Sequence, residues 1–571
     1  MELSTSRPRV LGWLRSAAIL DGDWGTSVAY VLGIAFFHAG YYSGWHLMMM
    51  LLFTILIAFN YITICRIYPA GGGVYSSVSH RSRILAIIGA LMLSADYVVT
   101  ASLSVLDACH YLALSNPELW AIGIILCIGV LNWFGPRHAG SMAIIISSAT
   151  LTALIVLIVV VFPAATKAMH LEPHPGGLMT NWNFFVSIIL SISGIEAISN
   201  MTGVMKDPIR SSRKAILAVL TKITLVMIIL GFAMLAIPEL SRVEHKEEMI
   251  RYLGEFYIGD WFGSIIGFVL GFLLISAGNT AINALTSIQF LMAVDGELPR
   301  ELRKLNKHGV PVIPLIVATA IPIIVLIVIH DVITLASLYA IGVVGAIMIN
   351  IGSTATDRDL KLSTGIRIFM FASAIILLLI ETTIAVQKTK ALIFASSVLV
   401  LGLGAREYTR RRRVAVAPAV PIPTTPSVSM APQEATSFSS RMMVAVSGGG
   451  QRLLRQACED AKLRNAFLFV INVKQIAISG ALPEKLTTEA FSNNKWMIDI
   501  CEEYKIPYRI LTVISNEIGY TIAENAATFG VDRLILGATQ RSLVQKALRG
   551  DVIRTVSALL PEEIQLLIYR A

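Results

Sequence analysis

Three acidic residues lie in apolar segments that approach the length needed to cross a membrane, which is about 20 residues. They are Asp23, Asp96 and Glu196. None of the three has a Lys or Arg close by in its own segment. A carboxylate inside a bilayer costs at least about 2.5–3.5 kcal/mol, so it persists only where a partner offsets that cost. Without a cation from the protein, the expected partner is a substrate cation or a proton, which indicates a transporter.

Two of these acids lie at interruptions of their segments. Residues 19–27 read ILDGDWGTS and residues 191–196 read SISGIE, both rich in residues that weaken a helix. Paired interruptions in two halves of a chain predict an inverted repeat with a binding site at mid-membrane. The physical reason is that a broken helix exposes carbonyls and half-helix ends that can replace an ion's hydration shell.

Several spacings support a cation site, and each leaves an alternative open. Asp96 and Thr100 are four residues apart on one helix face, an arrangement that suits a hard monovalent cation or a proton. Alternatively, Asp96 pairs structurally with a hydroxyl of another helix. Asp23 and Tyr30 share a face if the helix resumes after the break. Asp23 could instead cap the second half-helix.

The remaining polar residues near the breaks have plainer interpretations. Ser193 and Glu196 flank the second break, and Tyr339 by itself is an ordinary packing aromatic. We expect Asp21 to be a cap or a surface group. We expect Lys222 to extend its ammonium group to the cytoplasmic face.

The composition indicates a polytopic membrane protein with a soluble tail. Of 571 residues, 55% are hydrophobic and 15% are charged, whereas soluble domains carry about 25% charged residues. We predict a transmembrane domain at 1–405, a basic, Pro/Ala/Ser-rich linker at 406–440 and a cytoplasmic domain at 441–571. Twelve apolar segments are predicted, near 15–37, 46–68, 84–112, 119–134, 140–163, 183–203, 214–237, 260–290, 312–329, 332–352, 366–386 and 389–405.

The distribution of charged residues predicts the orientation in the membrane, and several classes of function are not expected from the sequence. Lys and Arg are concentrated in loops on one side, so both termini are predicted to be cytoplasmic in a bacterial inner membrane. The concentration of Lys and Arg on one side explains the net charge of +9, so we do not expect nucleic-acid binding. The expected partner is the lipid bilayer. The five Cys show no metal spacing. No catalytic motif points to an enzyme.

The tail alternates strand-like and amphipathic stretches. Strands are predicted at 442–447, 467–473, 508–514, 534–537 and 565–569, with helices near 451–464, 485–504, 517–529 and 543–559. This alternation predicts an α/β domain with a parallel sheet and helices on both faces.

Residues 10–405 resemble the amino acid–polyamine–organocation superfamily. The matching pieces are Asp23 with SVAY at 27–30, YPAGGGVY at 68–75, DYVVT at 96–100, SGIEAISN at 193–200, Asn279-Thr280 and LYAIGV at 338–343. They are especially similar to its bacterial Kup-group and KimA-type potassium importers. This resemblance implies a helical membrane fold of twelve transmembrane helices with a LeuT-like five-plus-five inverted repeat.

The resemblance also implies a function and a set of site residues. The residues implied for binding potassium or the coupling proton are Asp23, Tyr30, Asp96, Thr100, Ser193, Glu196 and Tyr339. Trp24 and Gly25 stand where the family tends to have small or aliphatic residues. We therefore expect proton-coupled potassium uptake by alternating access. The alternatives are an amino-acid/proton symporter and a transporter-like sensor.

Residues 441–571 resemble the universal stress protein fold. That resemblance implies that the tail has a regulatory role, in which it senses a nucleotide such as a cyclic dinucleotide. It also implies a homodimer formed through the tail. The implied nucleotide-binding residues are Gly448, Gly449, Gly537 and Gly550. Two departures count against ATP, because the loop after Gly537 lacks the family's second Gly and an acid follows Gly550. No other cofactor is expected.

Overall fold

The structure is a computed structural model that describes residues 2–5, 9, 11–135, 139–168, 171–415, 438, 440–447, 450–476, 495–515, 517–538 and 551–569. After a short N-terminal strand, the described chain is almost entirely helical as far as residue 415. From residue 441, strands and helices alternate. The predicted class, a helical membrane domain followed by a parallel α/β domain, is confirmed.

The helices of the membrane domain follow the predicted apolar segments. They are α1 (Trp13–Asp21), α2 (Ser27–Ala39), α3 (Ser43–Ile67), α4 (Val74–Ser79), α5 (Arg83–Tyr111), α6 (Pro117–Trp133), α7 (Ala139–Lys167), α8 (Gly177–Ser187), α9 (Ala197–Met201), α10 (Pro208–Leu225), α11 (Gly231–Leu235), α12 (Met249–Tyr257), α13 (Asp260–Val294), α14 (Val312–Val328), α15 (Val332–Thr356), α16 (Thr364–Gln387) and α17 (Thr389–Ala415).

Eight helical stretches of the described chain are long and apolar enough to cross a membrane. A bent pair, Gly177–Ser187 with Ile189–Val204, makes nine if it forms one span. The helices α6 and α14 are apolar but shorter. One of the eight stretches, Trp24–Ile67, contains both α2 and α3, with a turn at Gly40 between them. The chain is therefore a multi-pass membrane protein, but the predicted count of twelve spans is not confirmed.

Both predicted interruptions are present. Between α1 and α2 the chain passes through Gly22 and Asp23 and a 3₁₀ turn at Trp24–Thr26. Between α8 and α9 it passes through a 3₁₀ turn at Ile189–Ile192 and through Gly194, whose φ is +87°. The helix axis bends by 45° at this second break. A left-handed φ suits glycine, which explains the residue at this position.

The helix α5 lies at the centre of the bundle. Its most apolar window is 83% buried, whereas the corresponding windows of α7, α16 and α17 are 28%, 28% and 11% buried. It packs against both α13 and α15. Small residues permit this close packing, since a Cβ at Gly342 of α15 would come within 2.8 Å of the backbone nitrogen of Asp96. The central helix therefore holds Asp96 and Thr100 away from the lipid.

The C-terminal domain is a six-stranded sheet in which every strand pair is parallel. The strands are β1 (Glu2–Thr5), β2 (Arg441–Ala445), β3 (Phe467–Gln475), β4 (Tyr508–Ser515), β5 (Arg533–Gly537) and β6 (Gln565–Tyr569), and the order in the sheet is β1-β4-β3-β2-β5-β6. All five predicted strands are present, with ends that differ by at most two residues.

Helices cover the two faces of the sheet. The helices α18 (Gln451–Leu463) and α19 (Lys495–Tyr504) pack with Met442 and Val444 on one face. The helices α20 (Ile518–Thr528) and α21 (Val552–Leu559) pack on the other face. The predicted arrangement, with helices on both sides of a parallel sheet, is confirmed.

The N-terminal strand β1 was not predicted. It pairs with β4 in the register Glu2 to Leu511 through Thr5 to Ile514, so residues that precede α1 complete the edge of the C-terminal sheet. Ile514 also packs against Phe290 and Val294 of α13. The last membrane helix, α17, continues to Ala415. The division of the chain at 405 and 440 stays a prediction.

Candidate functional site

Asp23 lies in the break between α1 and α2. It occupies the N-cap position of the 3₁₀ turn, and its side chain makes no capping hydrogen bond. Its backbone carbonyl accepts a hydrogen bond from the Thr26 hydroxyl. The capping alternative for the Asp23 carboxylate is therefore not supported by the geometry of this turn.

The two breaks touch each other. A Cβ at Gly194 would come within 2.5 Å of the backbone nitrogen of Trp24, so only glycine permits this approach. The indole nitrogen of Trp24 donates a hydrogen bond of 3.2 Å to the carbonyl of Ser191. Ser27 donates to the same carbonyl at 3.3 Å. The Trp that departs from the family pattern thus joins the first break to the second.

Asp96 and Thr100 are buried on α5, and Asp96 lies close enough to both breaks to interact electrostatically with Asp23 and Glu196. The Thr100 hydroxyl donates to the backbone carbonyl of Asp96 at 2.9 Å, so its proton is not directed at a carboxylate. The oxygen of Thr100 keeps a free acceptor lone pair. Neither carboxylate oxygen of Asp96 has a hydrogen-bond partner of acceptable geometry among the described residues. The alternative in which Asp96 pairs with a hydroxyl of another helix is not what the structure shows.

Three hydroxyl groups complete the predicted set. Ser193 and Tyr339 form a hydrogen bond with each other through their side-chain oxygens. The side chain of Tyr30 lies close to that of Tyr339. Both tyrosines are 2% exposed. The structure therefore brings hydroxyl groups of the second break, α15 and α2 together in one place.

The three carboxylates are buried near one another. Asp23, Asp96 and Glu196 are 6%, 1% and 4% exposed, and each lies close enough to interact electrostatically with the other two. Both oxygens of Glu196 lack a hydrogen-bond partner among the residues that the structure describes. Unpaired buried charges of one sign repel each other and are costly to desolvate. An arrangement of this kind has the chemistry to hold a cation, or protons in its place.

Sequence reasoning missed aromatic residues beside this cluster. Tyr61 of α3 and Tyr97 of α5 are 1% and 3% exposed, and both interact electrostatically with Glu196. Tyr97 accepts a long hydrogen bond of 3.4 Å from Asn200. Tyr97 directly follows Asp96, which was a usable signal. Tyr61 offered no comparable signal, because aromatic residues are common in apolar helices.

The expectations for Asp21 and Lys222 were wrong. Lys222 does not extend to the surface; its ammonium group lies 2.6 Å from an Asp21 carboxylate oxygen, and their side chains are 7% and 5% exposed. The other Asp21 oxygen accepts a hydrogen bond of 2.6 Å from Ser147. Lys222 also lies 3.5 Å from the carbonyl of Gly25. A buried ion pair between α1 and α10 therefore holds the chain at the start of the first break.

The glycine-rich segment that follows α3 contacts the second break. The Gly72 nitrogen donates to the carbonyl of Ser199 at 2.8 Å, and a Cβ at Gly73 would collide with the side chain of Asn200. Asn350 of α15 bonds Ser77 of α4 at 2.8 Å. The segment thus links α9, α4 and α15 on the side of the bundle predicted to be cytoplasmic.

The predicted nucleotide-binding glycines are only partly described. Gly537 ends β5, next to β2, at the point where the strand order of the sheet reverses. Crevices at such switch points are where open α/β sheets bind ligands. Gly448, Gly449 and Gly550 lie outside the described residues.

Comparisons with known proteins agree with the membrane fold. Residues 11–403 match the family model described as amino acid permease. Two curated relatives are similar at low identity. The potassium transporter KimA of Bacillus subtilis (strain 168) is 26% identical over 312 residues, which are 50% of this chain and 51% of that protein. The lysine-specific permease LysP of Escherichia coli (strain K12) is 25% identical over 217 residues, 34% of this chain and 44% of that protein.

The chain therefore spans about half the length of the curated relatives it matches. Among solved structures, a universal stress protein in complex with cAMP is similar to part of the chain. It covers 23% of this chain and 96% of its own, with 16% identity and a TM-score of 0.19.

Proposed function

The chain belongs to the amino acid permease family, and we propose that it is a secondary transporter that imports potassium together with protons. The similarity to a potassium transporter and to a lysine permease supports transport of either substrate. The choice between the two rests on the chemistry of the buried site.

The observation that carries the proposal is the absence of a fixed cation beside the buried acids. Among the described residues, no Lys or Arg forms an ion pair with Asp23, Asp96 or Glu196. Lys222 is the buried ammonium group nearest the first break, and it is already paired with Asp21. A transported cation is then the partner that offsets the cost of the three carboxylates.

The donor groups favour a small inorganic cation over an amino acid. They are carboxylate and hydroxyl oxygens from α2, α5, α15 and both breaks, and the two breaks are in direct contact. A substrate α-carboxylate at the first break would lie against the Asp23 carboxylate, and like charges in a desolvated site repel strongly. A dehydrated monovalent cation meets no such repulsion.

Proton coupling follows from the same charge balance. When the cation leaves, three neighbouring carboxylates cannot all remain ionised in a desolvated site. Proton uptake by at least one of them would neutralise the empty site and permit the return step. Alternating access would then rock the broken helices against α5 and α15, with both termini in the cytoplasm.

The test is uptake of radioactive rubidium, as a potassium substitute, by a bacterium that lacks its own potassium uptake systems. We expect wild-type protein to restore growth at micromolar potassium. Asp96→Asn and Glu196→Gln should each lower uptake at least about a hundredfold, because a charge pair at 4 Å is worth about 4 kcal/mol at an effective dielectric of 20.

A matched control is available in α16. Glu381 has one carboxylate oxygen without a partner among the described residues, and it contacts the region of Gly345 rather than the breaks. Like Glu196→Gln, the change Glu381→Gln replaces a carboxylate that has a buried oxygen with a neutral amide. It should leave uptake within about twofold of wild type. Unchanged uptake in Glu196→Gln, with the protein present in the membrane, would refute the role of this site.

The alternatives give different results in the same cells. Uptake of labelled lysine that does not depend on potassium would favour an amino-acid/proton symporter. No flux of potassium or of any amino acid, with ligand-dependent changes in the tail, would favour a sensor.

For the C-terminal domain we propose a regulatory role and a homodimeric contact. The support is the sheet itself, whose switch point lies between β2 and β5, where a nucleotide would bind. Calorimetric titration of the purified full-length protein with ATP and with cyclic di-AMP tests this role. Binding of neither would remove the nucleotide from the proposal.

A further inference from the structure

A second group of ligating side chains lies at the opposite end of α5 from Arg83. His110, Glu247 and Glu248 each place one ligand atom within 4.8 Å of the others. The His110 Nδ1 atom is 3.3 Å from a Glu247 carboxylate oxygen, and both side chains are about one-fifth exposed. His110 belongs to α5, whereas the two glutamates lie in the segment before α12. The group therefore joins a central helix to a connecting loop.

Asp107 adds an independent observation. It lies three residues before His110 on α5 and so shares the same face of the helix. Its side chain is fully buried, and neither carboxylate oxygen has a partner among the described residues. It interacts electrostatically with both Glu247 and Glu248. A buried, unpaired carboxylate directed towards the cluster is costly unless a cation lies there.

The surrounding cations do not neutralise the cluster fully. The Lys246 ammonium nitrogen lies 3.7 Å from Glu247 Oε1, whereas His110 contacts the other oxygen, Oε2. The same ammonium nitrogen lies 3.4 Å from a carboxylate oxygen of Asp331. The His245 Nδ1 atom lies 3.4 Å from a carboxylate oxygen of Glu248. One lysine shared between two acids leaves an excess of negative charge on the cluster. A divalent cation matches that excess.

The donor types select the class of ion. Imidazole nitrogen together with carboxylate oxygen suits zinc and the related first-row metals, whereas potassium, calcium and magnesium prefer oxygen alone. Zinc–ligand bonds of about 2.0–2.1 Å arranged as a tetrahedron put neighbouring ligand atoms about 3.3–3.4 Å apart. The separation of 3.3 Å between His110 and Glu247 fits this geometry.

The loop that carries the glutamates rests on helices of the candidate transport site. A Cβ at Gly33 of α2 would collide with the carbonyl of Lys246. Arg251 donates to the carbonyl of Tyr111 at 3.3 Å, and the Tyr111 hydroxyl donates to the carbonyl of Ala29 at 2.7 Å. An ion held between α5 and this loop would therefore tie α2 and α5 together on one side of the site.

We propose that His110, Glu247 and Glu248, with Asp107 behind them, form a binding site for a divalent transition-metal ion of the zinc class. Binding there clamps the loop onto α5 and holds the transporter closed on that side. The site is separate from the residues proposed for potassium. It does not depend on which substrate is carried.

The experiment is a zinc titration of the purified full-length protein, with a tag that contains no histidine and after removal of metals with a chelator. Competition with a chromophoric zinc indicator gives the stoichiometry and the dissociation constant. We expect one tight site for each chain. His110→Ala and the double change Glu247→Gln with Glu248→Gln should each weaken binding at least tenfold, and an excess of potassium or magnesium should not displace the zinc.

His38→Ala is the matched control, since this half-buried histidine lies at the end of α2 outside the cluster, and the variant should bind zinc like wild type. Size-exclusion chromatography confirms that each variant is folded. Wild-type protein without a tight site, or His110→Ala with unchanged affinity, would overturn the proposal. Binding is measured without transport, so a failure of potassium uptake would not affect this result.

Discussion

The buried pair between Asp21 and Lys222 permits a quantitative test of how the first break is held. The atoms are 2.6 Å apart, so their mutual attraction is about 6 kcal/mol at an effective dielectric of 20. Removal of both groups from water offsets most of that attraction. Removal of one partner alone leaves a buried charge without compensation, which costs about 3–5 kcal/mol.

Lys222→Met keeps the length of the side chain and removes the charge. We expect it to lower the free energy of unfolding by about 3–5 kcal/mol, or roughly two to four powers of ten in the unfolding equilibrium. Asp21→Asn should have a cost of similar size. The double variant should lie within about 1 kcal/mol of wild type, because it leaves no buried charge without compensation and the Asn carbonyl can still accept the hydrogen bond from Ser147.

The assay is unfolding of the purified protein in mixed micelles with an increasing fraction of denaturing detergent, followed by tryptophan fluorescence. Comparison of the single and double variants isolates the interaction of the two side chains. A double variant as unstable as the sum of the single variants would refute the reasoning. Single variants as stable as wild type would refute it too.

Three further predictions follow from the breaks and from the N-terminal end of α15. Gly194→Ala should abolish uptake and destabilise the protein, measured by rubidium flux and melting temperature, because a Cβ has no room beside Trp24 and φ is +87°. Trp24→Phe should lower the free energy of unfolding by about 1–3 kcal/mol, since its indole no longer bonds Ser191. Partial burial raises the pKa of Asp331, but hydrogen bonds from Thr334 outweigh this and the pKa lies below its usual value. The stability that Asp331 contributes is therefore present above about pH 4 and lost as the pH falls below that, so the difference in melting temperature between wild type and Asp331→Asn should shrink in acid.

The features that could be predicted from sequence have local causes. Glycine, serine and aspartate weaken a helix wherever they cluster, so both breaks were identifiable from their own residues. The five strands of the tail were identifiable from short apolar runs between turn residues. Asp96 and Glu196 stood out because an ionisable residue in an apolar segment is rare.

The features that could not be predicted depend on contacts between distant parts of the chain. Lys222 and Asp21 are 201 positions apart, and nothing in either segment indicates the other. Glu2–Thr5 form a strand only because β4 offers a free edge. The electrostatic interaction of Tyr61 with Glu196 likewise depends on how α3 packs against the second break. Tertiary packing determines such contacts, and the local propensity of a segment does not predict them.

The two acids of the first break show how position decides the role of identical side chains. Asp21 and Asp23 are separated only by Gly22 and carry the same side chain. The structure gives Asp21 a lysine at 2.6 Å, so its charge is satisfied in every state in which that pair persists. Asp23 instead faces Glu196, a second acid. A fixed cation gives the first acid a structural role, whereas under the proposed function the second acid is balanced by a cation that can leave.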